Sequence, residues 1–365
     1  MRNLRHAIVP PYLLARLAAS ASPAFPRAAD AAQRTLLAPR SYTSQRSRLT
    51  FSMEDGELVA GVEPAPDRVV SDAGNSTRLP GLVVRREADP AGDDTAVNEA
   101  FDGLGATFDL FAQAFGRNSI DGAGMPLRAT VHYGLDYDNA FWDGTQMVFG
   151  DGDGEVFAGF TSSVSIIGHE LAHGVTEHSG GLVYQGQSGA LNESMSDVFG
   201  ALTEQHAIGQ TADEASWLIG AGVFTDAVQG DALRSMKAPG TAYDDDVLGK
   251  DPQPAHMRDF VETSDDNGGV HINSGIPNHA FHLVATTLGG RAWERAGLIW
   301  YRTLTGGTLS PTSDFAAFAG ATLATASALF PPSEGEGGAE SEETAAVRAA
   351  WAEVGVQEHG AEPAR

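Results

Sequence analysis

The sequence predicts an α+β protein in which strands come first and helices dominate afterwards. Short alternating or β-branched stretches and a hairpin pattern lie between residues 80 and 149. From Ser163 onward, apolar residues recur at helical spacing in long runs. With 42% apolar and 19% charged residues over 365 positions, the chain can bury a sizeable core and is long enough for two folded domains plus an extra segment.

Taken in order, residues 1–75 read as an extension of weak periodicity, Arg-rich for this chain, flexible and partly helical. Its start, Arg2 and Arg5 before an apolar run from Ala7 to Ala21, resembles a leader, but Pro10, Pro11 and Arg16 break the apolar core. Leu82–Val84 reads as a strand, Thr95–Phe115 as a helix and Thr130–Tyr133 as a strand. Asn139–Phe149 carries a central Asp-Gly and reads as a hairpin, with a tight turn at Asp151–Gly154. Helices are expected at Ser163–His178, Ala190–His206, Ile276–Leu288, Arg291–Leu304, Ser313–Leu329 and Thr344–Val354. The acidic run at 331–343 reads as disordered.

Lys+Arg number 23 against 48 Asp+Glu, a net charge of −25. That balance repels nucleic-acid phosphates and anionic lipid surfaces. No stretch is apolar and long enough to span a bilayer. Cysteine is absent, so disulfides and thiolate metal sites are excluded, and any metal must be held by His and carboxylate.

The sharpest chemical feature is His169-Glu170-Leu171-Ala172-His173. Residues four apart on a helix face the same side, so both imidazoles can hold one ion, with Glu170 beside its open position. Such a catalytic zinc needs a third ligand, and Glu193 on the following helix supplies a carboxylate. Asp197, one turn later, is placed to accept the second N–H of a ligand histidine. His271 sits in a Gly-rich stretch after Asp266. By itself, such a histidine reads as structural. Chemically, a protonated His271 held by Asp266, or the Tyr184 phenol, could stabilise the oxyanion of peptide hydrolysis.

Together these elements resemble the thermolysin family of zinc metallopeptidases. The similarity extends to Asn139–Gly154, Gly181–Glu204, Leu233–Met236 and Asp266–Phe281, and covers roughly residues 90 to 358. It implies a β-rich N-terminal lobe (76–203) and a mainly helical C-terminal lobe (204–358), with the zinc helix at the floor of the cleft. It implies a metalloendopeptidase with His169, His173 and Glu193 on zinc, and Glu170, His271 and Tyr184 catalytic. Asn139 and Ala140 would lie along the substrate backbone, and Arg234 would bond the carbonyl after the scissile bond. Phe157, Phe160, Ile166 and Leu233 would line the pocket for that residue, which predicts cuts before Leu, Phe, Ile or Val.

His6–Leu14 resembles the short propeptide of protealysin-like members. The expectation is a monomeric, secreted enzyme acting on proteins and peptides, made with its own propeptide as intramolecular inhibitor. A cytoplasmic or non-classically exported protein is the alternative. The sequence departs from calcium-rich relatives at Ser165, where they carry an Asp, so their double-calcium site should be lost even though Glu204 remains. A weaker calcium site would use Thr225, the Val228 carbonyl and Asp231. Asp151 and Asp153 resemble calcium-loop residues but read better as a tight turn. The rivals are a non-catalytic binding or regulatory protein on the same fold, and a zinc aminopeptidase, which would need an acidic anchor for the substrate amine.

Overall fold

The computed structural model describes residues 6–20, 22–38, 53–54, 57–58, 64–332 and 340–357. The acidic run expected to be disordered falls largely outside them, at 333–339.

The N-terminal segment forms two helices, α1 (Pro11–Ala18) and α2 (Ala28–Leu37), packed on each other. Pro11 at the first turn suits a helix start, where no N–H is needed. Leu13, Leu14 and Leu17 are fully buried, so this segment is part of the core. A two-residue hairpin follows, β1 (Met53–Glu54) with β2 (Glu57–Leu58).

The main sheet contains β3 (Arg68–Asp72), β4 (Leu82–Arg86), β5 (Leu127–Val131), β6 (Ala140–Trp142) and β7 (Met147–Phe149), in the order β4-β3-β5-β7-β6. The strand β3 lies before residue 76, the expected start of the catalytic lobe, yet pairs with both β4 and β5. β6 and β7 form the anticipated hairpin, and β6 is the edge strand. Ala7 pairs with Phe141 on that edge.

Helix α3 (Thr95–Phe115) has the expected bounds. The Asp94 carboxylate caps the Val97 N–H, and Gly116 ends the helix in the left-handed region. Two buried helices, α4 (Val164–Glu177) and α5 (Gly186–Ile208), then pack along each other. Their closeness depends on glycine. A Cβ at Gly168 would come 2.8 Å from Thr203 Oγ1, and one at Gly200 would run into the Ser165 carbonyl. Two short strand pairs, β8 (Leu218–Ile219) with β9 (Arg234–Ser235) and β10 (Asp244–Asp245) with β11 (Gly249–Lys250), lead to the remaining helices. These are α6 (Asp266–Asn273), α7 (Gly275–Leu288), α8 (Ala296–Thr305), α9 (Phe315–Leu329) and α10 (Glu342–Glu353).

The stretch expected to be a Gly-rich loop is thus counted as helix, but Asn267, Gly268 and Gly269 inside it have positive φ. This left-handed turn leads into the short helical stretch that carries His271. The tight turn at 151–154 is present: Asp153 Oδ1 accepts the N–H groups of Glu155, Val156 and Phe157 at 2.8–3.0 Å.

Candidate metal centre and cleft

Helix α4 carries His169 and His173 on one buried face, and α5 brings Glu193 against them. His169 Nε2 and His173 Nε2 are 3.1 Å apart. The Glu193 carboxylate oxygens lie 3.4 Å from each of them. Among the described residues, this is the one group of His, Cys, Asp or Glu gathered tightly enough to hold a metal ion.

The hydrogen bonds on the far side of each ring fix which nitrogen faces inward. His169 Nδ1 lies 2.7 Å from Asp197, and His173 Nδ1 lies 2.8 Å from the Asn192 carbonyl oxygen and 3.0 Å from Ser196 Oγ. Each Nδ1 therefore donates, and each Nε2 turns a lone pair toward the other. Burial, then the neighbouring His6 and His169, hold His173 well below the ordinary histidine range and so neutral. Glu193 Oε2 is buried without a hydrogen bond. Two lone pairs and a carboxylate converging on one spot repel one another unless a cation lies between them. Ligand atoms around a tetrahedral zinc are about 3.3 Å apart. The donor set and its spacing therefore fit zinc.

Glu170, on the same helix, accepts the Trp142 backbone N–H at 2.9 Å. This ties it to the edge strand β6. Opposite stands His271, whose Nδ1 lies 2.6 Å from Asp266, with its backbone N–H on the same carboxylate at 2.8 Å. Burial works against a charge here, but Asp266 and then Glu193 outweigh it and push His271 up to about 9. Its Nε2 is 3.2 Å from the Tyr184 hydroxyl, which itself donates to Glu193.

Asp197 is fully buried and accepts from His169, from Arg234 Nε and Nη2 at 2.9 and 2.8 Å, and from Asn278 Nδ2 at 2.8 Å. Burial opposes its charge, yet Arg234 and His169 hold it well below the usual carboxylate range. Sequence reasoning assigned no role to Asn192, Ser196 or Asn278. The one available signal was a polar residue among apolar neighbours on a helix: Leu191 beside Asn192, Ile276 and Ala280 around Asn278.

The structure brings Asn139, Ala140 and Arg234 to the same cleft, and chain from the N-terminus already lies there. Asn139 exchanges two hydrogen bonds with the Val9 backbone, at 2.9 and 3.0 Å. The Ala140 carbonyl accepts the Ile8 N–H at 3.1 Å. Arg234 Nη1 donates to the Ile8 carbonyl, and His271 Nε2 lies on the Ala7 carbonyl, both at 3.1 Å. Phe157, Phe160, Ile166 and Leu233 are buried, with the Phe157 and Phe160 rings 5.6 Å apart. The His6 ring lies 4.4 Å from that of His173 and 4.7 Å from that of Tyr184.

Most of the residues considered for calcium have other partners. Ser165 holds a hydrogen bond to Glu204, Thr225 Oγ1 donates to the Glu155 carbonyl at 2.6 Å, and Asp231 is exposed. Asp151 pairs with His132.

Residues 38–177 match the sequence profile of the thermolysin metallopeptidase catalytic domain, and residues 180–356 that of the thermolysin metallopeptidase alpha-helical domain. An extracellular metalloprotease of Pectobacterium carotovorum subsp. carotovorum is 48% identical over 96% of each chain. Protease PrtS of a Photorhabdus species is 51% identical over 80% of this chain and 76% of its own. Among solved structures, the precursor of protealysin, a metalloproteinase from Serratia proteamaculans, is similar with a TM-score of 0.84 and 49% identity, over 96% of this chain and 99% of that one.

Proposed function

Because this chain belongs to the thermolysin metallopeptidase family, and so is a zinc metalloendopeptidase made as a self-inhibited precursor, we propose which of its residues do the work. His169, His173 and Glu193 hold zinc. The observation that carries this is the convergence of two Nε2 lone pairs and the Glu193 carboxylate on one buried spot. Bound zinc supplies a Lewis acid that makes water a nucleophile near neutral pH.

The chain's own groups do the rest. Glu170 takes the proton of the attacking water and passes it to the leaving amine. His271, kept charged by Asp266, and the Tyr184 phenol donate to the carbonyl oxygen as it gains negative charge. Asp197 orients His169 and Arg234 together. Asn139, Ala140 and Arg234 align the substrate backbone along the edge strand, and Phe157, Phe160, Ile166 and Leu233 take the side chain after the cut. The precursor is latent because residues 6–9 fill this cleft and α1 and α2 anchor them. No described helix is long and apolar enough to cross a membrane, and the relative named an extracellular metalloprotease supports export; in this reading the enzyme acts as a monomer. No calcium site is part of this reading.

The test is Glu170→Gln. Zinc content, measured by metal analysis, should be unchanged, while hydrolysis of casein should fall roughly 10²–10⁴-fold once an added serine protease, then inhibited, has removed the N-terminal segment from parent and variant alike. Parent-like hydrolysis would sink the mechanism. Mapping the parent's cut sites should show internal cuts before large apolar residues, and stepwise loss from substrate N-termini would point to an aminopeptidase instead.

A further inference from the structure

The N-terminal segment blocks the cleft, but the way it does so resembles a substrate more than a plug. It runs antiparallel to the edge strand β6, with Ala7 opposite Phe141. Five backbone groups in a row are engaged: the Ala7 carbonyl by His271, the Ile8 N–H by Ala140, the Ile8 carbonyl by Arg234, and both polar groups of Val9 by Asn139. Ala7, Ile8 and Val9 are at most 1% exposed.

The register identifies one peptide bond. The carbonyl of Ala7 lies against the group proposed to stabilise the oxyanion. The next residue, Ile8, has its carbonyl on the arginine expected to hold the residue after the cut. Ile8 is also a branched apolar side chain of the kind the pocket proposed for the residue after the cut should select, and it is fully buried. On the other side, the His6 ring packs at a tilt against His173 and Tyr184, so the residue before Ala7 lies beside a metal ligand. A simple obstruction would have no reason to satisfy each of these positions in the direction of a substrate.

Resting on the active-site assignment above, we propose that Ala7–Ile8 is a self-cleavage bond, hydrolysed within the same molecule while the segment is still docked. Water adds across the bond: its hydroxyl goes to the Ala7 carbonyl carbon, and its proton goes by way of Glu170 to the Ile8 nitrogen. The chain up to Ala7 leaves as a peptide. The new amine at Ile8 does not leave. Pro10 and Pro11 stiffen the chain after it, and Leu13, Leu14 and Leu17 keep α1 buried in the body. The cut therefore precedes activation, and the cleaved precursor stays latent with Ile8 and Val9 as a tethered product.

The experiment follows the full-length zinc-loaded precursor by intact mass and N-terminal sequencing. A chain beginning at Ile8 should accumulate at a rate unchanged on tenfold dilution, before casein hydrolysis appears. Glu170→Gln should abolish it. Ile8→Leu should keep it, and Ile8→Asp should slow it at least tenfold. A second readout needs no turnover: in Glu170→Gln precursor, hydrogen exchange should show the Ile8 and Val9 amides protected, and Ile8→Asp in that background should remove the protection. If the preparation comes to hydrolyse casein yet no chain starting at Ile8 forms, the inference falls and the proposed function stands. A rate that scales with concentration overturns cleavage within one molecule. If matured protein never hydrolyses casein, the proposed function itself fails.

Discussion

Besides the candidate metal ligand His169, two histidines among the described residues each lie between two carboxylates, and only one of these two can act on a substrate. His271 has Asp266 at Nδ1 and Glu193 3.5 Å from Nε2, and its side chain is 1% exposed. His132 has Asp151 at Nδ1 and Asp94 at Nε2, at 2.9 and 3.0 Å, with its side chain 23% exposed and both carboxylates more so. Around His132, both ring nitrogens are taken by short bonds between loop ends, so the ring can only pin them. Around His271, one carboxylate takes Nδ1 and the other stands off, leaving Nε2 to reach a carbonyl in the cleft. The same combination of one histidine and two carboxylates thus gives a clamp at the surface and a donor in the interior. Burial and the one unspent nitrogen make the difference.

The strongest way to stress the comparison is to remove charge where burial is deepest. Asp197 accepts hydrogen bonds from His169, Arg234 and Asn278 and is fully buried. Asp197→Asn leaves the buried Arg234 guanidinium without its counter-charge, and should lower stability by about 3–5 kcal/mol. Urea unfolding of metal-free precursor checks this without zinc binding contributing. A loss under about 1 kcal/mol would mean that the interior is better solvated than the structure indicates. His271→Ala should act differently. It removes a donor aimed at the reacting carbonyl, so kcat of the matured enzyme should drop by roughly 10²–10³ with zinc content unchanged. Should it instead mainly lower the unfolding midpoint, His271 is a pin like His132, and the comparison collapses.

Much of the fold was legible because its signals are local. The bounds of α3 follow from a cap at Asp94 and a left-handed Gly116, both readable in sequence. The start of α8 was misplaced by five residues: Gly297 N–H bonds back to the Ala292 carbonyl, so Arg291–Arg295 is a turn with helix-like composition. Helix α5 begins at Gly186, four residues early, because its glycines hide the apolar spacing. At the site, the two histidines announce themselves by their i,i+4 spacing, and Glu193 by lying on the next helix. Asn278 does not, since its partner Asp197 is 81 residues away. The N-terminal segment was least legible in detail. Its weak periodicity reflects a chain that takes its conformation from groups 130 to 264 residues distant, and no local pattern encodes that register.

The smallest expected effect lies at His132, and its sign is fixed by linkage. Burial alone would lower the pKa of His132, but its bonds to Asp151 and Asp94 outweigh this and raise it above 6.5. Asp94 moves the opposite way: burial opposes its charge, but the bond to His132 and the Val97 N–H hold it below 3.8. A histidine raised in the folded state contributes stability fully below its unfolded pKa and loses it as pH rises through the folded value. A depressed carboxylate contributes above its unfolded pKa and loses it as pH falls through the folded value. The clamp is therefore strongest between these limits, around pH 5 to 6. His132→Gln should cost within about 1 kcal/mol there, as expected of a partly exposed pair. The difference from parent should shrink toward zero as pH rises through the raised folded-state value of His132, and with added salt. Urea midpoints of the two precursors across pH 5 to 9 measure it. A deficit that persists unchanged at pH 9 would show that His132 holds Asp94 and Asp151 by shape rather than by charge, removing the electrostatic half of the comparison with His271.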